Sequence, residues 1–228
     1  MVKPLDLERV HNIPGYTPMD ELHALYLTAL MSAHLEGDIV EIGSWCGRSA
    51  VVLAAAAEGS KVHCIDLFPD PRDWFRSESG GWSSSTNIDF VNHFSHLAPT
   101  VPDRIFEAEV LPVYQKYGSL TAAFAIHTEP EKDTIVAHRG TSTTFFSKQS
   151  LGFKIRMAFI DGGHSYDDVI RDIENVEPHL VSGAYICFDD FSGDFPSVVK
   201  GVQDRIIGSD KYCDIHHTCN RLLTARKK

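Results

Sequence analysis

The chain is short of positive charge. Its 21 lysines and arginines face 31 aspartates and glutamates, for a formal net charge of −10. Such a surface repels phosphate backbones and anionic lipid, so nucleic acid and membrane are excluded as expected partners and a small neutral or cationic ligand is favoured. The basic end Arg226-Lys227-Lys228 reads as a solvated tail. Cysteine is also scarce. The 5 residues Cys46, Cys64, Cys187, Cys213 and Cys219 are odd in number and form no CxxC pair, which argues against a disulfide framework and against a structural zinc site. Three of them sit in apolar, strand-like context, as small buried hydrophobes do. No apolar run approaches the ~20 residues a membrane helix needs. Met1 to Val10 is charged throughout and lacks the apolar core of a signal segment, so a cytoplasmic location is expected.

What is present suits one α/β domain: 228 residues with 43% hydrophobic content are enough for one large core and few for two. After Pro14-Gly15, Asp20 is placed to cap a helix carrying Leu22, Leu25, Leu27, Leu30 and Met31. Asp38 to Ile42 reads as a strand, Gly43 to Gly47 as a turn, Ser49 to Glu58 as an alanine-rich helix ended by Gly59, and Lys61 to Ile65 as a second strand stopping at Asp66. This compact βαβ unit predicts parallel strands. From Pro69 to Asp133 the pattern is lost. Ser77 to Ser85 reads as a mobile loop around Trp82, with helices expected near Ile88 to Leu97 and Ile105 to Tyr117. So long an interruption is either a lid or substrate-binding insertion, or a plain surface excursion. Strands are expected again at Thr134 to His138, Ile155 to Ile160 and Ala184 to Phe188. Ser165 caps a helix with Asp168 as its capping-box partner, Val198 to Ile207 forms another, and Tyr212 to His217 with Leu222 to Ala225 forms a closing antiparallel hairpin. The expected fold is therefore α/β: a Rossmann-like, mostly parallel seven-stranded sheet with helices on both faces, in a single domain spanning residues 1–228.

Acidic residues at strand ends carry the chemistry. Asp161 closes one buried strand and Asp189-Asp190 close another. If those strands are neighbours in a parallel sheet, three carboxylates surround one point, a site for a hard divalent cation such as magnesium. Asp167 and Asp168 sit in a first helical turn, where the dipole accounts for them. The turn Glu41-Ile42-Gly43-Ser44-Trp45-Cys46-Gly47-Arg48-Ser49 places backbone amides at a sheet's carboxyl edge. As a dinucleotide fingerprint it fails, because Trp45 stands where the middle glycine must admit a pyrophosphate. A ligand with a ribose and no phosphate still fits. Asp66, 23 residues after Gly43, ends the second strand, where an acid accepts both ribose hydroxyls.

The run of Ile13-Pro14-Gly15, Val40-Glu41-Ile42-Gly43-Ser44, Gly47-Arg48-Ser49, Ile65-Asp66, Gly140-Thr141-Ser142, Phe159 to Tyr166 and Phe188-Asp189-Asp190 resembles the class I S-adenosylmethionine-dependent methyltransferases. Within them it is most similar to the metal-dependent O-methyltransferases of macrolide sugars and related natural products. The resemblance implies that Glu41, Gly43, Ser44 and Ser49 line the methionine side of S-adenosylmethionine, that Asp66 holds the ribose, and that Gly140, Thr141 and Ser142 border the adenine. Thr141 stands where the family usually has an acid. The resemblance also implies Mg²⁺ on Asp161, Asp189 and Asp190, with His164 as the base that deprotonates a hydroxyl of a small acceptor, a saccharide or a catechol-like phenol. A lid bearing Trp74 and Trp82 would exclude water, and similar enzymes often form homo-oligomers. Taken alone, His164 reads as a helix-entry hydrogen bond; the setting of the surrounding motif is what points to a base. A metal-dependent hydrolase and a non-catalytic cofactor-binding module are the competing functions.

Overall fold

Strands form where β-branched and small apolar residues can be covered on both faces, and helices form where one side stays polar. The computed structural model describes residues 4–78, 80–88, 91–94, 100–148 and 152–228. In chain order, α1 (Leu7–His11), α2 (Met19–Met31), β1 (Asp38–Ile42), α3 (Arg48–Ala55) and β2 (Val62–Asp66) make the first unit. The insertion holds β3 (Trp74–Arg76), β4 (Trp82–Ile88), β5 (Val91–Phe94) and α4 (Asp103–Ile105). A π turn joins α4 to α5 (Leu111–Tyr117), and α6 (Leu120–Thr128) follows. The rest comprises β6 (Ile135–Arg139), α7 (Ser142–Lys148), β7 (Ile155–Ile160), α8 (Tyr166–Val176), β8 (Leu180–Phe188), α9 (Pro196–Val202), β9 (Tyr212–Cys219) and β10 (Leu222–Lys227).

The main sheet has seven strands in the order β6-β2-β1-β7-β8-β10-β9. β6, β2, β1, β7 and β8 pair in parallel, while β10 runs antiparallel to both β8 and β9. Alternate residues of each central strand enter two separate cores. Ile39, Met157, Phe159 and Cys187 pack with α2, α3 and α6, and Val40, Ile42, Ala158, Ile160 and Phe188 pack with α8 and α9. Both faces are thus covered, as expected for parallel strands. No described helix is long and apolar enough to cross a membrane.

One buried cation joins the helix ends to the sheet. Arg156 on β7 is 2% exposed, and its guanidinium donates to Ala29 O, Ser32 Oγ, Ala57 O and Ser60 Oγ at 2.6–3.1 Å. Those acceptors lie at or just beyond the C-terminal ends of α2 and α3, where positive charge suits the helix dipole.

The structure departs from the sequence expectations in several places. The basic end Arg226-Lys227-Lys228, read as a solvated tail, is tied into the sheet: Arg226 and Lys227 lie in β10, and Lys227 Nζ donates to Glu177 O and Leu180 O, each at 2.9 Å. Strand β8 begins at Leu180 rather than at Ala184. Helix α2 begins at Met19, with Pro18 in the N-cap position and no side-chain cap bond, so Asp20 lies inside the first turn. Pro18 fixes its own φ at −65° and needs no side-chain partner to open a helix. The helix expected near Ile88 to Leu97 is instead an antiparallel ribbon of β4 and β5, with residues 89–90 and 95–97 outside the described residues. Trp82 to Ser85, read as loop, belong to β4, and Ser83 and Ser84 are buried there. Serine-rich composition hid that strand, which is held by pairing with β3 and β5 and by Trp82 stacked on Phe106 at 4.2 Å. Trp74 meets the same Phe106 edge-on and donates Nε1–H to Tyr114 Oη at 2.7 Å.

A polar chain lies near the β6 edge of the sheet. His63 on β2 meets Asp38 Oδ2 through Nε2 and His138 Nε2 through Nδ1, each at 3.1 Å, and stacks on Phe153. Burial pushes both imidazoles below their ordinary range, His138 to about 4. The unfolded chain protonates such a histidine near pH 6.5 and the folded chain only near pH 4. Its contribution to stability is therefore complete above about pH 6.5 and lost as pH falls towards 4. Thermal melting across that window should show wild type losing stability faster than His138→Gln; parallel curves would refute the assignment.

Candidate functional site

The parallel register brings the acids together. Ile65, Ile42, Ile160 and Phe188 form one row across β2, β1, β7 and β8, so Asp66, Gly43, Asp161 and Asp189, each one residue further, emerge at the same carboxyl edge. Backbone bonds extend the row beyond the strands: Gly43 N to Ile65 O, Asp161 N to Ile42 O, Asp189 N to Ile160 O and Gly140 N to Asp66 O, at 2.8–3.1 Å. Gly43 has φ +92°, and a Cβ there would lie 1.8 Å from Asp161 O. Only glycine allows the two strand ends to meet so closely.

These residues border a cavity of about 600 Å³ that runs from Gly140-Thr141-Ser142 past Asp66 and Gly43 to Asp161, His164 and Asp190, within the range of small-molecule sites. Trp74, Ser84, Val101 and Ile105 of the insertion form part of its wall, as does the loop Pro14 to Thr17. Arg48 holds that loop, donating to the carbonyls of Ile13, Gly15 and Thr17.

On one side, Ser44 lines the cavity with its Oγ unpartnered, whereas Glu41, whose carboxyl oxygens also lack a hydrogen-bond partner, is fully buried and is not part of the cavity lining. Burial pushes the Glu41 carboxyl up, opposed by the nearby Ser44 and Ser49 hydroxyls. Buried polar atoms without partners are expected where a ligand supplies them. Asp66 accepts from Trp45 N at 2.9 Å and Phe68 N at 2.6 Å, one bond to each oxygen. Burial raises this carboxyl and the backbone bonds lower it. Each oxygen keeps a lone pair for the cavity.

On the acid side the expected trio, Asp161, Asp189 and Asp190, borders the cavity together with His164. Donor atoms of Asp161, His164 and Asp190 all lie within 4.8 Å of one another, and His164 Nε2 is 2.9 Å from Asp190 Oδ2. Asp190 adopts φ +59°, a conformation rare outside glycine. Its neighbour Asp189 bonds Asp190 N through Oδ1 and faces Arg221 through Oδ2 at 3.5 Å. Asp161 is raised well above the carboxylate range, first by burial and then by repulsion from Asp189 and Asp190. Such a set of hard oxygens with one imidazole fits a divalent cation.

Two residues that the sequence did not single out complete this side. Arg221, in the turn between β9 and β10, places its guanidinium 2.9 Å from Asp190 and 3.5 Å from Asp189, while its backbone N–H donates to Glu21 Oε1 at 2.8 Å. Glu21 on α2 is fully buried, and burial together with Asp189 raises its carboxyl. Along the chain neither carries a signal, since Glu21 lies in a first helical turn and Arg221 between two hairpin strands. Only the closure of the hairpin against β8 reveals them.

A sequence model of a family described as "Methyltransferase domain" matches residues 40–191, more than half of the chain. Among solved structures, an O-methyltransferase from Bacillus cereus in complex with SAH is similar, with 15% identity, TM-score 0.59, and coverage of 99% of this chain and 92% of that one. The O-methyltransferase TomG from Streptomyces achromogenes, involved in tomaymycin synthesis and solved with SAM, has 13% identity and TM-score 0.59, covering 100% and 91%. CalS11, a TDP-rhamnose 3'-O-methyltransferase of calicheamicin biosynthesis, has 16% identity and TM-score 0.59, covering 98% and 88%. At these identities the likeness is one of fold.

Arg221 is the counter-charge for a group of buried acids, and removing one partner of such a group leaves the others uncompensated. Arg221→Met should cost about 3 kcal/mol, lowering the melting temperature by roughly 6–12 °C. Adding Glu21→Gln should return part of the loss. An unchanged melting temperature for the single variant would show that the guanidinium carries no such role.

Proposed function

The chain belongs to the methyltransferase domain family, and from that premise we propose that it transfers the methyl group of S-adenosylmethionine to a hydroxyl of a small molecule, a sugar or glycoside. The observation that carries the reading is one cavity joining a ribose-type acceptor, Asp66, to the cluster of Asp161, His164 and Asp190.

In this reading the ribose hydroxyls bind Asp66 and the adenine points towards Gly140-Thr141-Ser142. The methionine end passes over Gly43 towards Ser44 and Ser49, with Glu41 buried beside these two serines. The acceptor lies on the acid side, against Phe195 and under the insertion. His164 takes the acceptor's proton. Its Nε2 pairs with Asp190, which fixes the tautomer and leaves Nδ1 to accept. The acceptor oxygen then displaces the sulfonium in line, giving a methyl ether and S-adenosylhomocysteine. Holding both reactants in this geometry is the main source of rate.

Asp161, Asp189 and Asp190 are the residues that would hold a divalent cation, with the Arg221 guanidinium beside the two acids that follow β8. When bound, Mg²⁺ supplies electrostatic stabilisation of the charge developing on the acceptor oxygen. The imidazole is assigned to the proton because its Nε2 already has a carboxylate partner. An acceptor rich in hydroxyls matches the acids and the arginine on this side. The titled activity of CalS11 on a nucleotide-linked sugar supports the same class.

His164→Ala should lower kcat by about 10²–10⁴-fold, the usual share of a general base. Calorimetric affinities for S-adenosylhomocysteine and for Mg²⁺ should change little. Loss of Mg²⁺ affinity in this variant would make His164 a ligand instead. Chelation should abolish methyl transfer to sugar acceptors and Mg²⁺ restore it; full turnover in chelator would remove the cation from the reaction.

A further inference from the structure

At the Gly140-Thr141-Ser142 end of the cavity, Thr141 stands where the family resemblance implies an acid. The two motif side chains are engaged within the protein. Thr141 Oγ1 accepts from Thr144 N at 3.0 Å and Thr144 Oγ1 accepts from Thr141 N at 2.9 Å, a reciprocal cap on α7. Ser142 Oγ donates to Asp172 Oδ1 at 2.5 Å and accepts from Asn175 Nδ2 at 3.0 Å. A nearby carboxylate of the same wall, Asp168, is occupied by Ser165 through one oxygen and by Arg171 through the other.

Asp172 differs from these. It lies on the inner face of α8, is 5% exposed, and contributes to the cavity wall. Oδ1 is held by Ser142, whereas Oδ2 makes no hydrogen bond to a described residue. Oδ2 lies beside Gly162, 2.9 Å from where a Cβ on that glycine would stand. Glycine at 162 therefore keeps the space over this oxygen open. A buried acceptor with one oxygen fixed and the other free on a cavity is suited to an N–H donor of fixed position.

We propose that Asp172 reads the base of the methyl donor, its Oδ2 accepting a hydrogen bond from the exocyclic amine of adenine. The proposal rests on S-adenosylmethionine being the donor. Burial raises the Asp172 carboxyl to about 6 against the Ser142 hydrogen bond, so it is mostly ionised at neutral pH and acts as an acceptor only. The amine of adenine is the one donor on that edge of the base, and a 6-oxo purine would present an acceptor there and be repelled.

The test is calorimetric and uses three ligands: S-adenosylhomocysteine, its N6,N6-dimethyl derivative and S-inosylhomocysteine. Wild type should bind the first at least about tenfold more tightly than the other two, the usual effect of a lost hydrogen bond to a charged group. Asp172→Asn keeps an acceptor for Ser142 and turns an amide N–H₂ towards the base. It should bind S-inosylhomocysteine at least as well as S-adenosylhomocysteine. If wild type binds S-adenosylhomocysteine but does not distinguish the three, or if Asp172→Asn keeps the wild-type preference, the assignment to Asp172 is overturned while the donor reading stands. If wild type binds none of the three, the donor reading fails and the assignment with it. Should Asp172→Asn not fold, the wild-type comparison alone decides.

Discussion

The contact between Gly43 and the carbonyl of Asp161 is the constraint on which the rest depends. Parallel strands meet their neighbours in even register, so every residue one step beyond the last paired row appears at the same height. A side chain at position 43 would drive β1 and β7 apart where their ends must touch, since its Cβ would overlap the backbone of Asp161. With glycine there, the donor side and the acid side of the cavity are separated by one strand spacing. The proximity that methyl transfer needs is thereby a property of the sheet.

The same proximity creates an electrostatic difficulty. Asp161, Asp189 and Asp190 stand on adjacent strand ends in a site that burial makes costly for like charges. The fold answers by folding its last hairpin back onto β8, which carries Arg221 to the acids from the far end of the chain. The guanidinium satisfies Asp189 and one oxygen of Asp190, and the other Asp190 oxygen is left to His164. Thus the antiparallel edge of the sheet also supplies the counter-charge for carboxylates that border the cavity.

How much of this was legible beforehand follows from how local each determinant is. Strands β1 and β7 were read to the residue because continuous apolar runs ended at a charge or a glycine. Asp66, Asp161, Asp189 and Asp190 stand out for the same reason: a carboxylate at the end of a buried strand is anomalous in sequence, and all four border the cavity. The insertion was misread where its strands are polar, because Trp82 to Ser85 owe their conformation to β3, β5 and Phe106 rather than to any periodicity of their own. Glu21 and Arg221 were invisible for a related reason. Each looks like an ordinary surface residue until elements 200 positions apart in sequence meet.

The hydroxyl groups at the Gly140-Thr141-Ser142 end of the cavity show the same principle. A motif read along the chain assigns recognition to Thr141 and Ser142, yet short hydroxyl side chains at a helix entry bond first to their own backbone and neighbours. Thr141 does so with Thr144, and Ser142 is fixed between Asp172 and Asn175. What the cavity can use is the next group along that chain of hydrogen bonds, one helix away and about 30 residues later in sequence. The substitution of a hydroxyl for an acid in the motif is therefore no loss of an acceptor at this end of the cavity, because the carboxylate is supplied from α8. The glycine at position 162, opposite that carboxylate, then has the same logic as Gly43: it keeps backbone and side-chain volume away from a place where two groups must approach.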